Sequence, residues 1–173
     1  MNKKWPLLLS VTLLIIFLDQ ASKIWVDQVL GQAQSKVIIP HFFELVHYRN
    51  PGAAFGMFAS WVSPWREVFF YCVSAMALTF LFYYFVKTPL HQKNILISIS
   101  MIIGGAVGNL IDRIFRGNVV DFLLLHWNNK VAYFSLFGKK YSMDLVWPAF
   151  NIADAAISVG VVLLILCSIR AKE

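Results

Sequence analysis

Two aspartates stand in apolar surroundings, where an ionised carboxylate is costly. Asp121 lies in the segment NVVDFLLL, and Asp154 lies near the start of FNIADAAISVGVVLLILCSI, on a predicted helix face shared with Asn151 and Ser158. Two neighbouring carboxylates in such a setting cannot both ionise cheaply, so one keeps its proton. If the fold brings the two together, the ionised group can take a proton from water while the protonated group donates to a peptide carbonyl. The sequence therefore predicts a water-activating aspartate pair.

Other polar residues have spacings that bring them onto shared helix faces. Asp19 and Lys23 are four residues apart, so their side chains face each other on a helix. They form either a salt bridge that anchors the helix end or a pair that positions another group. In GGAVGNLIDR, the residues Asn109, Asp112 and Arg113 fall within about 100° of arc. A neighbouring Asp and Arg usually neutralise each other, whereas an amide at membrane depth needs hydrogen-bond partners.

Other catalytic chemistries find little support in the sequence. No HExxH motif occurs and the four histidines are scattered, so we do not expect a zinc site. Ser22 and Lys23 are adjacent, which places them about 100° apart on a helix and gives poor geometry for a Ser–Lys dyad. The nucleophile motif GxSxG is absent.

The elements that must position these residues are membrane helices. Of the 173 residues, 59% are hydrophobic and only 14% are charged, and the mean hydropathy is +0.67. A soluble domain carries about a quarter charged residues. We therefore predict a single membrane domain over residues 1–173. A span needs about 20 apolar residues, and the spans are predicted at about residues 6–26, 66–86, 95–115 and 150–169.

The longer connections, residues 27–65 and 116–149, are predicted to lie on the outer face. The density of Lys and Arg beside the spans favours cytoplasmic termini. The net charge of +6 is interpreted as anchoring to the membrane surface and not as nucleic-acid binding, since the basic residues form no soluble basic face. Cys72 and Cys167 lie in apolar runs and are predicted to be buried apolar residues without a disulfide.

Three outer-face elements are predicted. The segment VIIPHFFELVHYRN indicates two short strands around Pro40. The segment MFASWVSPWRE indicates a short interfacial helix with Trp61 and Trp65 at headgroup depth. Residues 118–147 alternate aromatic and polar side chains, which predicts a β-hairpin that turns near residues 137–139.

Five motifs follow one another in the order of a known family. They are DQASK at 19–23, NPGAAFGMF at 50–58, GGAVGNLIDR at 104–113, VVDF at 119–122 and FNIADA at 150–155. Together they cover nearly the whole chain and resemble the bacterial lipoprotein signal peptidases, the type II aspartyl signal peptidases. The resemblance implies an α-helical integral membrane protein of four transmembrane helices, with a small outer-face β-cradle and a short interfacial helix.

The resemblance also implies an aspartic endopeptidase. It would be a multi-pass protein of the bacterial cytoplasmic (inner) membrane with its active site near the outer face. It would remove signal peptides from diacylglyceryl-modified prolipoproteins by cutting just before the lipidated cysteine. Its partners would be these precursors and membrane lipids, and we expect a monomer without metal or cofactor. Carried over motif by motif, the catalytic residues are Asp121 and Asp154. The pocket residues are Asn50, Asn109, Arg113 and Asn151. The positioning residues are Asp19, Lys23 and Asp112.

One segment departs from the family pattern. Residues 126–148 form a longer connection than the resemblance implies, with Lys130, Lys139 and Lys140 available for anionic headgroups or substrate entry. The simpler interpretation is a tolerated surface insertion. A lateral entrance with a flap is also predicted, with Phe55, Met57 and Trp61 as its candidate residues.

Two other classes of function stay open at this stage. A proton-coupled transporter would use membrane carboxylates as a relay, but it needs acidic residues across the full membrane depth, and the inner half of every predicted span lacks them. A scaffold for other membrane proteins would use the same carboxylates only for stability. The clustering of the polar motifs at one depth favours the endopeptidase.

Overall fold

The computed structural model describes residues 3–52, 63–136 and 139–170 of the chain. Its helices are α1 (Lys4–Val29), α2 (Pro64–Lys87), α3 (Lys93–Arg116) and α4 (Ile152–Arg170). Its strands are β1 (Ser35–Ile39), β2 (Phe43–Asn50), β3 (Val119–Leu136) and β4 (Lys139–Phe150).

All four helices are long and apolar enough to cross a membrane, as predicted. In α3, 56% of the most apolar window is buried, against 17% in each of the other three helices. The helix α3 is therefore the central one, and it packs against α1, α2 and α4. Its buried face carries Asn109 and Asp112 of GGAVGNLIDR, which places these two side chains inside the bundle and away from lipid.

Local sequence signals determine where α2 begins and ends and where α3 ends. The helix α2 starts after Ser63, whose hydroxyl accepts a hydrogen bond from the Trp65 backbone amide, and it carries proline at its first position. It ends at Lys87, and its C-cap Thr88 is extended because the following Pro89 disfavours a helical conformation there. The helix α3 ends at Gly117, which adopts a left-handed conformation with φ of 73°.

Gly104 and Gly108 give α3 a small-residue face against α1. A Cβ atom added to Gly104 would lie 2.9 Å from the Cβ atom of Ile15 in α1. A Cβ atom added to Gly108 would lie 2.6 Å from Oδ2 of Asp19. These glycines let α1 and α3 approach closely enough for buried side chains to reach across the interface.

The strands form one antiparallel sheet in the order β1-β2-β3-β4. The two strands predicted around Pro40 are β1 and β2. The predicted hairpin is β3 and β4, which pair from Leu123 with Phe150 out to Leu136 with Lys139. Its turn residues, 137 and 138, lie outside the described residues, as do the predicted flap and the part of the predicted interfacial helix before residue 63.

The two cysteines are free, as predicted. Cys167 is half-buried, but Cys72 is exposed on α2, so the prediction that Cys72 is buried is wrong. The apolar outer surface of a membrane helix contacts lipid, and an apolar run in the sequence does not separate this surface from the protein core.

Candidate active site

Asp121 is the third residue of β3, which begins at Val119, and only 4% of its surface is exposed. Its strand partner is Tyr48 of β2, so Asn50 lies two residues further along β2 on the same face. The Asn50 side-chain amide donates to Oδ2 of Asp121 at 3.0 Å. The Asn151 side-chain amide donates to Oδ1 of Asp121 at 2.8 Å.

Asp154 lies in the first turn of α4, where a local capping arrangement holds it. The side-chain oxygen of Asn151 accepts from the Asp154 backbone amide at 2.9 Å, and Oδ2 of Asp154 accepts from the Asn151 backbone amide at 3.3 Å. This reciprocal pair is a capping box at the helix start. The side chain of Asn109 donates to Oδ1 of Asp154 at 2.8 Å.

The two carboxylates line a single cavity of about 450 Å³ at the junction of the sheet with α3 and α4. Of the predicted pocket residues, Asn50, Asn109 and Arg113 also line it. Asn151 is fully buried beside it. The structure thus brings together all six residues that the sequence assigned to the catalytic pair and its pocket.

Burial changes the acidity of Asp121. Removal from water is the largest cause, and it raises the pKa of this carboxyl group from 3.8 to about 6. The hydrogen bond from Asn50 opposes the shift in pKa, and the negative charge of Asp154 adds to it. A group that titrates near 6 can hold or release a proton close to neutral pH.

Lys23 is the centre of a fully buried ion network behind the cavity. Its ammonium group lies 2.9 Å from Oδ2 of Asp19 and 2.9 Å from Oδ2 of Asp112, and all three side chains have no exposed surface. The predicted Asp19–Lys23 salt bridge is confirmed. Lys23 also donates to the side-chain oxygen of Asn109 at 3.1 Å, which leaves the Asn109 amide group directed at Asp154.

The two carboxylates of this network hold the backbone beside the two cavity aspartates. Oδ1 of Asp19 accepts from the backbone amide of Ala153 at 3.0 Å, one residue before Asp154. Oδ2 of Asp112 accepts from the backbone amide of Val120 at 3.0 Å, one residue before Asp121. The ion network thus reaches both cavity aspartates through one backbone amide each.

The expectation that Asp112 and Arg113 neutralise each other is wrong. Asp112 pairs instead with Lys23 and with Arg116, one turn later in α3. The Arg113 guanidinium donates to the Gly52 carbonyl at 3.0 Å and lies over the ring of Phe70, 5.0 Å from its centroid. Adjacent helix positions point about 100° apart, so one side chain enters the buried network and the other enters the cavity.

Sequence reasoning gave no role to several residues that complete the site. Gln20 donates to Asp19, to the Gly108 carbonyl and to Asp112, and its side-chain oxygen accepts from Arg116. The end of β4 supplies part of the apolar cavity wall, and these residues are Trp147, Pro148, Ala149 and Phe150. These four residues could have been predicted to line the cavity from their position in the sequence. They directly precede the helix that carries Asp154, so the strand that contains them must pass the cavity.

Among the residues that the structure describes, no group of three or more His, Cys, Asp or Glu could hold a metal ion. A second, apolar cavity of about 570 Å³ lies over the sheet and shares Leu125 and Trp147 with the first. The polar cavity holds the two aspartates and is therefore the candidate active site.

Comparison with known proteins identifies the family. The family model described as signal peptidase (SPase) II matches residues 11–170. A lipoprotein signal peptidase of Syntrophotalea carbinolica is 37% identical over 96% of this chain and 93% of its own length. One of Geobacter metallireducens is 38% identical over 98% of this chain and 94% of its own length.

The fold is similar to that of a bacterial membrane enzyme solved by the in meso method at 2.3 Å. The TM-score is 0.75, and the identity is 29% over 96% of this chain and 89% of that one. The chain belongs to the signal peptidase II family, the lipoprotein signal peptidases.

Proposed function

We propose that this peptidase is an aspartic endopeptidase in which Asp121 and Asp154 activate water. It cuts diacylglyceryl-modified prolipoproteins just before the lipidated cysteine. The observation that carries the proposal is the shared cavity, in which each carboxylate is held by two amide donors. Amide donors fix the oxygens in place without supplying a full positive charge, so the pair can still divide one proton.

The chemical steps balance around that proton. The ionised carboxylate accepts a proton from a water molecule as the water oxygen bonds to the peptide carbonyl carbon. The protonated carboxyl group donates its proton to the carbonyl oxygen, which forms a neutral tetrahedral intermediate. The C–N bond then breaks, and the leaving nitrogen takes the proton that came from water. The hydroxyl of the intermediate returns its proton to the second carboxylate, which restores the starting state.

The pocket residues orient the pair and the substrate. Asn109 and Asn151 direct their amide hydrogens at Asp154 and Asp121 respectively, while Asn151 also donates to Asn109 at 3.2 Å. Arg113 lines the cavity with a cationic group that can bind a carbonyl oxygen of the substrate backbone. No described contact joins Arg113 to a cavity carboxylate, so its charge is available there.

The residues Asp19, Lys23 and Asp112 position the groups around the cavity and do not take part in the reaction. They do not line the cavity, but they hold the backbone amides next to both aspartates and the oxygen of Asn109. Catalytic groups need placement within fractions of an ångström, which a rigid buried ion network can supply.

The membrane holds the lipid-anchored substrate at the depth of the cavity. The cavity opens where α3 ends and α4 begins, on the side that carries the sheet, and the opposite helix ends carry the first and last described residues. We place the sheet side outside the cytoplasmic membrane and the termini in the cytoplasm. A diacylglyceryl anchor would then keep the scissile bond at the depth of the two aspartates, which replaces a dilute encounter by a confined one.

The test uses purified full-length protein in detergent, with a lipidated precursor, its unlipidated form and a chelator present. Asp121→Asn and Asp154→Asn should each fold and insert but lose cleavage by about 10³-fold or more, since either change removes a proton carrier of the pair. Glu67→Gln is the matched control, because Glu67 is an exposed carboxylate in the first turn of α2. It should cleave as the wild type does.

Retained cleavage in either Asn variant would refute the aspartate pair. Equal cleavage of the lipidated and unlipidated precursors would refute the proposed substrate requirement. Loss of wild-type activity to the chelator alone would replace the metal-independent mechanism by a metal-dependent one.

A further inference from the structure

A cationic cavity lies at the end of the bundle opposite the candidate active site. Its volume is about 450 Å³, and it lies between the start of α3 and the end of α4. The residues that line it are His91, Gln92, Lys93, Asn94, Ile95, Cys167 and Arg170. Three of these can carry positive charge, and none is acidic.

The three basic residues of this cavity lack counter-charges in the described part of the chain. His91, Lys93 and Arg170 have neither an ion pair nor a side-chain hydrogen bond with any described residue. The first turn of α3 contains no acidic residue either. The charges of Lys93 and Arg170, which have no acidic partner among the described residues, create a positive potential that attracts an anion.

Other basic residues at the same end of the bundle are engaged differently. The Lys4 ammonium donates to the Val86 carbonyl at 2.9 Å and lies over the ring of Phe85. The Lys87 ammonium lies over the ring of Tyr83. The cations of the cavity are therefore distinct from the lysines nearby, whose charges already have protein partners.

The wall of the cavity changes from polar to apolar toward the membrane interior. Ile95 is buried and belongs to the core cluster of Leu8, Phe85, Leu96 and Ile99, and Cys167 packs against that cluster. Lys93 and Arg170 are exposed at the rim, at the ends of two membrane spans. A phospholipid has the same gradient, with a phosphate at the membrane surface and apolar chains below it.

We propose that this cavity binds the phosphate of an anionic phospholipid headgroup. Lys93 and Arg170 would contact the phosphate oxygens, His91 would add a donor at the rim, and Ile95 and Cys167 would contact the glycerol and the first methylene groups. Basic pockets between spans are suited to anionic headgroups, and each nearby Lys or Arg strengthens binding by about fivefold. The proposal does not depend on the peptidase mechanism.

The experiment measures lipid binding to the detergent-purified full chain by native mass spectrometry. Phosphatidylglycerol, phosphatidylcholine and inorganic phosphate are offered separately to the wild type and to Lys93→Gln/Arg170→Gln. We expect the wild type to keep one phosphatidylglycerol in preference to phosphatidylcholine. The double variant should bind phosphatidylglycerol about 30-fold more weakly, as the loss of two such contacts implies.

The controls separate a site from general charge effects. Lys36→Gln removes an exposed charge on β1, on the opposite side of the bundle, and should bind as the wild type does. Lys93→Arg/Arg170→Lys keeps the charges and should restore most of the binding. If inorganic phosphate binds the wild type but not the double variant, and phosphatidylglycerol does not bind, the site takes free phosphate and the lipid assignment is wrong. Equal phosphatidylglycerol binding in the wild type and the double variant would overturn the site itself.

Discussion

Amide side chains fix both cavity carboxylates, and one of them also begins a helix. Asn151 caps α4 with its oxygen and holds Asp121 with its nitrogen, so the group that starts the last span also connects the two aspartates. Asp154 in turn completes the capping box through its own carboxylate. A carboxylate near the mouth of an apolar helix is thus stabilised first by the free backbone amides of that helix start.

The raised pKa of Asp121 predicts the pH dependence of cleavage. Because the pKa of Asp121 is about 6, its carboxyl group loses its proton as the pH rises through that value, and in the proposed mechanism it can then no longer donate to the carbonyl oxygen. We therefore expect kcat/KM to fall on the alkaline side with an inflection near pH 6. Bound substrate displaces water and disfavours the ionised form further, so the inflection in kcat should lie at higher pH. A kcat/KM that rises steadily from pH 5 to 8 would contradict this prediction.

Removal of Lys23 should affect stability and catalysis separately. Lys23→Met leaves Asp19 and Asp112 buried without their shared cation, and we expect a loss of about 3 kcal/mol or more in the free energy of unfolding. In Asp19→Asn/Lys23→Met, Asp112 keeps Arg116, so much of that stability should return.

The kcat of the double variant should nevertheless stay about tenfold or more below that of the wild type, because the Asn109 oxygen has lost its cationic donor. Thermal unfolding and single-turnover cleavage measure the two quantities. Full recovery of kcat together with stability would show that Lys23 has only a structural role.

At the scale of the elements, the close contact between α1 and α3 decides where the polar network lies. Gly108 leaves space for Oδ2 of Asp19, so the α1 carboxylate can reach both Lys23 and the start of α4. Gly105 similarly lies against the Ala153 carbonyl of α4, a contact that the sequence analysis did not identify. The three helices meet at small residues, where their backbones come close enough for short side chains to cap a neighbouring helix.

Gly108→Ala should reduce both stability and catalysis. The added Cβ atom would lie 2.6 Å from Oδ2 of Asp19, so Asp19 must move and the hydrogen bond to Ala153 is lost. We expect a destabilisation of about 1–3 kcal/mol and a fall in kcat. Gly160→Ala is the matched control, since its Cβ atom would meet Ile102 and the Ser98 carbonyl away from this network. Thermal unfolding should show a similar loss in both variants, and a wild-type kcat in Gly108→Ala would contradict the proposed link.

Periodicity and composition predicted the four spans, the strands around Pro40 and the hairpin, because these depend on patterns within short segments. Spacing also predicted the Asp19–Lys23 pair, which is local to one helix turn. It could not predict that Asp112 pairs with Lys23 and not with Arg113, since that choice depends on the rotation of α3 against α1. The capping box is present in the sequence as Asn-x-x-Asp at 151–154, and this local signal was sufficient to predict the start of α4.

At the scale of the whole molecule, the sheet is built onto the helices with little intervening chain. Two residues separate α3 from β3, and one residue separates β4 from α4. The part of the β3–β4 hairpin next to the helices pairs Leu123 with Phe150 and Leu125 with Trp147, close to Asp121. The outer part, residues 128–144, lies within the segment that was predicted from the sequence to be an insertion. The segment 126–148 therefore overlaps the cavity wall at Trp147 and Pro148, whereas no described side chain of residues 128–144 lines the cavity.

Shortening the hairpin should leave cleavage largely intact. Residues 128–144 can be replaced by an Asn-Gly turn between Trp127 and Leu145, which keeps the pairing of His126 with Val146. We expect kcat/KM within about threefold of the wild type, since surface loops tolerate such changes when the backbone near the site is kept. A large rise in KM for the lipidated precursor alone would show instead that the insertion takes part in substrate binding.

The position of Asp154 in the last span has a consequence for biosynthesis. The ribosome delivers α1, α2 and α3 with Asp121 before α4 exists, and until then the Asp19 carboxylate lacks the Ala153 amide and Asp121 lacks its Asn151 donor. A nascent chain halted before that span therefore holds one half of the proposed water-activating pair, and we expect it to be inactive. Under the proposed mechanism, insertion of the final helix both completes the fold and makes hydrolysis possible.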